Sequence, residues 1–172
     1  MTFKLLSKVA LALAAMGLCL SAASAAYKSE YKLSVVPGAS SGWGQTATFF
    51  ADCVRQKSNG RINIKPYFGA QLMAGKQTSE LLLVRRGAID FALASTINWS
   101  PQIKELNLTA LPFFVANNPD RYKAIDAIET GKSGKMLEKA IEKTGVKFLG
   151  WSENGFRELT TSKGPIEKPE DM

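Results

Sequence analysis

Arg157 is the residue with the most pointed chemistry in this chain. It follows an apolar run of Val146, Phe148, Leu149 and Trp151 and stands in the passage Asn154-Gly155-Phe156-Arg157. A guanidinium just past a strand end offers a planar fork that meets both oxygens of a carboxylate at once. Two more loops follow strand-like runs. Pro37 to Trp43 carries serine hydroxyls and an indole, and Ser95-Thr96-Ile97-Asn98-Trp99 carries hydroxyls, an amide and a second indole. Ligands of an open α/β sheet bind beyond the carboxyl ends of its strands. Arg157, Ser95, Asn98, Trp99, Trp43 and Pro37 are therefore the candidate contacts for a small polar acid. The same residues also make ordinary loops with solvated polar groups, and composition alone leaves both readings open.

Other chemistry is thinly supplied. The 172 residues include no histidine, which weakens the commonest acid–base and metal-ligand readings; no metal or cofactor is expected. Gly131-Lys132-Ser133 has the ending of a phosphate loop. Asp126 stands where that motif needs glycine, and a helix precedes it, so a helix interruption is the better reading. Asn98-Trp99-Ser100 and Asn107-Leu108-Thr109 match the glycosylation pattern, which is short enough to arise by chance. The formal charge of +7 is spread along the chain without aromatic clustering, which points to small anions or to no specific partner, not to nucleic acid.

The elements that must position these groups follow an N-terminal segment, residues 1–25, that reads as a secretory signal. Lys4 and Lys8 precede the apolar run Val9 to Leu20, and Ala23 and Ala25 occupy the small-residue positions before a cut after Ala25 or Ala26. Leu18 before Cys19 argues against lipidation, since a small residue is expected there. Cys53 is then a lone thiol, most simply a small core residue on an amphipathic helix.

The remaining chain alternates strand and helix signals. Tyr31 to Val36 reads as a strand. Ser40 or Ser41 caps a helix carrying Trp43, Ala47, Phe50, Ala51 and Val54 on one stripe, and Asn59-Gly60 ends it. Arg61 to Lys65 reads as a strand and Gln77 to Arg86 as a helix with Leu81, Leu82 and Val84 inside, closed by Gly87. Ile89 to Ala94 is a short strand. Asn118-Pro119 opens a further helical region that Gly131 and Gly134 interrupt. Lys135 to Lys143 then shows an apolar face of Met136, Leu137, Ala140 and Ile141, and Val146 to Trp151 reads as the last strand. This order predicts an α/β fold with helices packed on a sheet.

Several short motifs in this order and spacing resemble the substrate-binding proteins of TRAP transporters. They are Lys57-Ser58-Asn59-Gly60-Arg61-Ile62 with Gln71-Leu72, Gly87-Ala88-Ile89-Asp90-Phe91, Leu111-Pro112-Phe113, and Gly155-Phe156-Arg157-Glu158-Leu159-Thr160 ahead of Lys168-Pro169-Glu170-Asp171-Met172. The resemblance implies a periplasmic-binding-protein-like two-lobed fold that closes on a small organic acid and delivers it to TRAP membrane subunits from the periplasm. It also implies a first lobe over residues 26–150, mostly present, and a second only begun over residues 151–172. Arg157 matches a position that often contacts the ligand. Ser95 and Asn98 fall where some members carry charged contacts, and the family's carboxylate-clamping arginine is expected beyond Met172. An exported enzyme using Cys53 or a serine, or a ligand-sensing domain, are the competing classes; the helical place of Cys53 and the missing histidine weigh against the enzyme.

Overall fold

The computed structural model describes residues 27–115, 117–153, 155, 161–162 and 164–171. The expected leader and Arg157 lie outside the described residues. Three strands, β1 (Tyr31–Val35), β2 (Ile64–Tyr67) and β3 (Phe91–Leu93), form a parallel sheet in the order β2-β1-β3. β1 pairs Leu33 with Pro66 on one side and with Phe91 on the other. Pro66 cannot donate to a ladder, which suits β2's place at the sheet edge. The expected strand from Arg61 starts three residues later. Ser58 accounts for the delay: its carbonyl accepts from the Arg61 N–H (3.2 Å) and its Oγ from the Ile62 N–H (3.0 Å).

Helix α1 (Gly42–Lys57) runs from β1 to β2. Ser41 is its cap, with Oγ accepting from the Gly44 N–H at 3.0 Å. Asn59 and Gly60 at positive φ end it, the Gly60 N–H reaching the Arg55 carbonyl at 2.8 Å. Ala47 and Ala51 are buried against Leu33, Val35 and Ile64, with Trp43, Phe50 and Val54 packed around them. Cys53 is half-buried and belongs to neither core cluster, so the core role expected for it does not hold.

The opposite face of the sheet carries the second core, built on Leu81, Trp99, Ile103, Leu106, Leu137, Ala140 and Ile141. Alternation along β1 explains the division, since Leu33 and Val35 face α1 while Ser34 faces the second core. A 3-10 turn (Gln77–Ser79) leads into α2 (Glu80–Arg85), where Leu81 is fully buried and Leu82 and Val84 only half-buried. The short helix α3 (Thr96–Trp99) and a 3-10 helix (Lys104–Ala110) follow β3.

Three sequence expectations fail in the pair α4 (Arg121–Thr130) and α5 (Lys132–Glu142). Asp120, not Asn118, caps α4, its Oδ1 accepting from the Lys123 N–H at 3.0 Å; Asn118 forms the turn before it, accepting from the Asp120 N–H at 3.0 Å. Gly134 does not interrupt a helix. It lies inside α5, where a Cβ would stand 1.7 Å from the Glu129 carbonyl oxygen, so the glycine permits the close turn between the helices. Met136 is 49% exposed, and Leu137, Ala140 and Ile141 alone carry the apolar face. Val146 to Trp151 is not a strand. Val146, Phe148 and Trp151 pack on the second core, but no ladder partner stands beside them among the described residues.

Candidate functional site

A parallel sheet ordered β2-β1-β3 has its topological switch point between β1 and β3, because the chain leaves β1 for one side and returns on the other. In open α/β sheets the carboxyl ends of the two strands at such a point are where ligands bind. Val35 and Leu93 are paired, so the two strands end level. Pro37 stands two residues past the one end and Ser95 two past the other. Trp43, in the first turn of α1, is half-buried on the α1 side. The N-terminus of a 16-residue helix with no acidic residue in its first turn also opens at this edge, and its dipole favours an anion.

Sequence reasoning missed the loop that braces this edge. After β2, the Gly69 N–H donates to the Pro37 carbonyl (3.1 Å) and the Ala70 N–H to the Val35 carbonyl (3.3 Å). Ala70 and Ala74, at φ 57° and 49°, hold left-handed backbone on either side of the 3-10 turn Gln71–Met73. Alanine adopts that region at a cost, which the surrounding contacts must offset. Gly44 is equally constrained: a Cβ there would lie 2.4 Å from the Ala39 carbonyl oxygen and 2.6 Å from that of Gly38. The loop after β1 therefore folds down onto the first turn of α1.

On the β3 side, Ser95 accepts at its carbonyl from the Asn98 N–H (3.1 Å), and the Asn98 amide donates to Gln77 Oε1 at 2.7 Å. Trp99 is only 9% exposed, and its indole sits in the second core. Its Nε1 donates to Glu80 Oε2 at 3.2 Å, while Ser34 Oγ donates to Glu80 Oε1 at 2.6 Å. Glu80 is fully buried. Burial pushes its carboxyl above the ordinary carboxylate range, against the two hydrogen bonds that favour its charged form. Glu80 was not among the sequence candidates. Its only signals were a serine in mid-strand, which needs a buried partner, and a glutamate opening an apolar helix.

The structure thus sets Pro37 and Ser95 just past the paired ends of β1 and β3, Trp43 in the first turn of α1 and Asn98 within α3, with the Trp99 indole in the second core. Charged groups elsewhere have other roles. Asp90, at the opposite end of β3, meets the Lys28 ammonium and the Lys32 N–H; burial raises its carboxyl, but these partners together hold it below its ordinary value. Lys132, Lys135, Lys139 and Lys143, scattered to the eye in sequence, line one shallow groove of about 450 Å³ along α5. Among the described residues no cluster of His, Cys, Asp or Glu is placed to hold a metal, and no helix is long and apolar enough to cross a membrane.

This architecture has known counterparts. A TRAP periplasmic solute binding protein from Ralstonia eutropha, solved with bound (S)-2-acetolactate, is 54% identical with a TM-score of 0.79, covering 84% of this chain and 45% of its own. One from Sulfurospirillum deleyianum, solved with succinate, is 26% identical with a TM-score of 0.75 over 86% of this chain and 45% of its own. The 2,3-diketo-L-gulonate-binding periplasmic protein YiaO of Escherichia coli is 28% identical over 123 residues, 72% of this chain and 36% of its own length. The chain spans less than half the length of each of these relatives. The family model for bacterial extracellular solute-binding proteins, family 7, matches residues 33–172. The chain belongs to that family, the solute receptors of TRAP transporters.

Proposed function

We propose that the full-length protein is a periplasmic receptor that captures a small organic acid in the crevice between β1 and β3 and delivers it to TRAP membrane subunits. The observation that supports this reading is the switch point between β1 and β3, with Pro37 and Ser95 two residues past the paired strand ends and the N-terminus of α1 opening at the same edge. The 54%-identical neighbour holds (S)-2-acetolactate, so a short 2-hydroxy-3-oxo acid is the first ligand class to test. Residues 26–150 serve as the first of two lobes and residues 151–172 lead toward the second. Arg157 is a contact to the acid's carboxylate, and a leader ending at Ala25 or Ala26 is removed on export. The receptor binds without turnover.

Calorimetry on the full-length protein with (S)-2-acetolactate and succinate tests the reading. Saturable binding of an acid, with the acid recovered unchanged, is the expected result. Arg157→Ala weakens it by about 1.5–3 kcal/mol, the worth of a charge-assisted hydrogen bond, and Arg157→Lys also weakens it because the ammonium lacks the fork. Absence of binding to every organic acid tried, or conversion of the acid, refutes the reading.

A further inference from the structure

We propose that Glu80 is the positioning residue of this crevice, joining β1 to α3, the elements on its two sides, through one buried carboxyl. The inference rests on reading the crevice as the ligand site. Glu80 has no exposed surface and divides its two oxygens between different elements. Oε1 takes the hydroxyl of Ser34, one residue before the end of β1 and three before Pro37. Oε2 takes the indole N–H of Trp99, the last residue of α3 and four past Ser95. Two further bonds run along the same seam. Gln77 Oε1 accepts from the Asn98 amide at 2.7 Å, and the Thr78 carbonyl accepts from the Gln102 amide at 2.7 Å.

The residues at the entrance of α2 thereby hold the segment after β3, and among the described residues Glu80 carries the side-chain hydrogen bonds that link it to β1. An indole N–H can only donate, so buried Trp99 depends on an acceptor such as the Glu80 carboxyl for its polar atom. An aliphatic side chain at position 80 leaves that donor and the Ser34 hydroxyl unpaired, and α3 can then shift relative to the loop after β1. Glutamine can retain both bonds: its oxygen accepts from Trp99 and its amide donates to Ser34 Oγ. The function of Glu80 is therefore geometric and does not require its charge.

The test uses full-length protein and (S)-2-acetolactate, or succinate if that is the acid bound. Glu80→Ala, Glu80→Gln and Trp99→Phe are compared with Ile64→Ala, a core change at the far end of β2 that lowers stability without touching the seam. At a temperature where all are folded, Glu80→Ala and Trp99→Phe bind roughly tenfold more weakly or worse, as expected when a buried partner is stranded. Glu80→Gln stays within about threefold of the unaltered protein, and Ile64→Ala binds normally despite its lower Tm. If Glu80→Ala does not fold, Trp99→Phe and Ser34→Ala carry the test. Normal affinity in the seam variants overturns the inference, as does a Glu80→Gln variant as weak as Glu80→Ala. A failure of the unaltered protein to bind any acid refutes the receptor reading instead, so the two failures are distinct.

Discussion

Gly44→Ala is the sharpest perturbation of the loop after β1. The added Cβ would lie 2.4 Å from the Ala39 carbonyl oxygen, whereas real Cβ contacts stay at 3.0 Å or beyond, so the loop must withdraw by at least 0.6 Å. The obstacles are two backbone carbonyls, and no side-chain rotation relieves them. Withdrawal also strains the cap, because the Gly38 carbonyl accepts from both Ser41 Oγ (2.6 Å) and the Ser41 N–H (3.1 Å) while that Oγ holds the Gly44 N–H. Alanine gains about 1 kcal/mol over glycine in a helix interior. Overpacking costs about 1–3 kcal/mol, and a disturbed cap costs about 1 kcal/mol more. The net expectation is a loss of about 1–3 kcal/mol, read by urea unfolding. Calorimetry should show weaker acid binding in the same variant, because Pro37 and the loop after it move together. Gly42→Ala is the control: its Cβ meets nothing within 4 Å, so stability stays level or rises. A Gly44→Ala protein with unaltered stability and affinity would refute the reasoning.

Gly134→Ala places a Cβ 1.7 Å from the Glu129 carbonyl oxygen and must part α4 from α5; a loss of about 3 kcal/mol or more is expected, and a Tm at or above that of the unaltered protein refutes it. Leu137→Ala, at 1% exposure, should cost about 2–5 kcal/mol in urea unfolding, an outcome excluded by a change below half of that. The pH dependence of Glu80 has a definite sign. Its carboxyl binds a proton more tightly folded than unfolded, so its contribution is fully present below the unfolded value near 4.5 and is lost as pH rises through the raised folded value. Glu80→Gln should remove that decline, and stability curves for the two proteins that run parallel across the acid range refute the assignment. Asp90 has the opposite sign: its carboxyl is held low, so Asp90→Asn should lessen the loss of stability as pH falls through its folded value, measured in the same titration.

Local chemistry made much of this fold legible before any tertiary contact was known. Ser41 caps α1 and Asn59-Gly60 end it because a hydroxyl acceptor and a left-handed residue act within a few positions of themselves. The alanines and aromatics of α1 fall on one stripe by the helical period alone, and the alternation of strand and helix already implied loops gathered at one sheet edge. Tertiary structure decided the rest. Whether Val146 to Trp151 becomes a strand depends on a neighbouring edge, which no local pattern supplies. Gly134 reads as a helix breaker until Glu129 is seen against it. Trp99 has the same composition in a binding loop and in a core, and only the buried Glu80 beneath it distinguishes the two. Burial and pairing are properties of residues distant in sequence, so Ser34, Glu80 and Trp99 acquire a joint role only when the sheet brings them together.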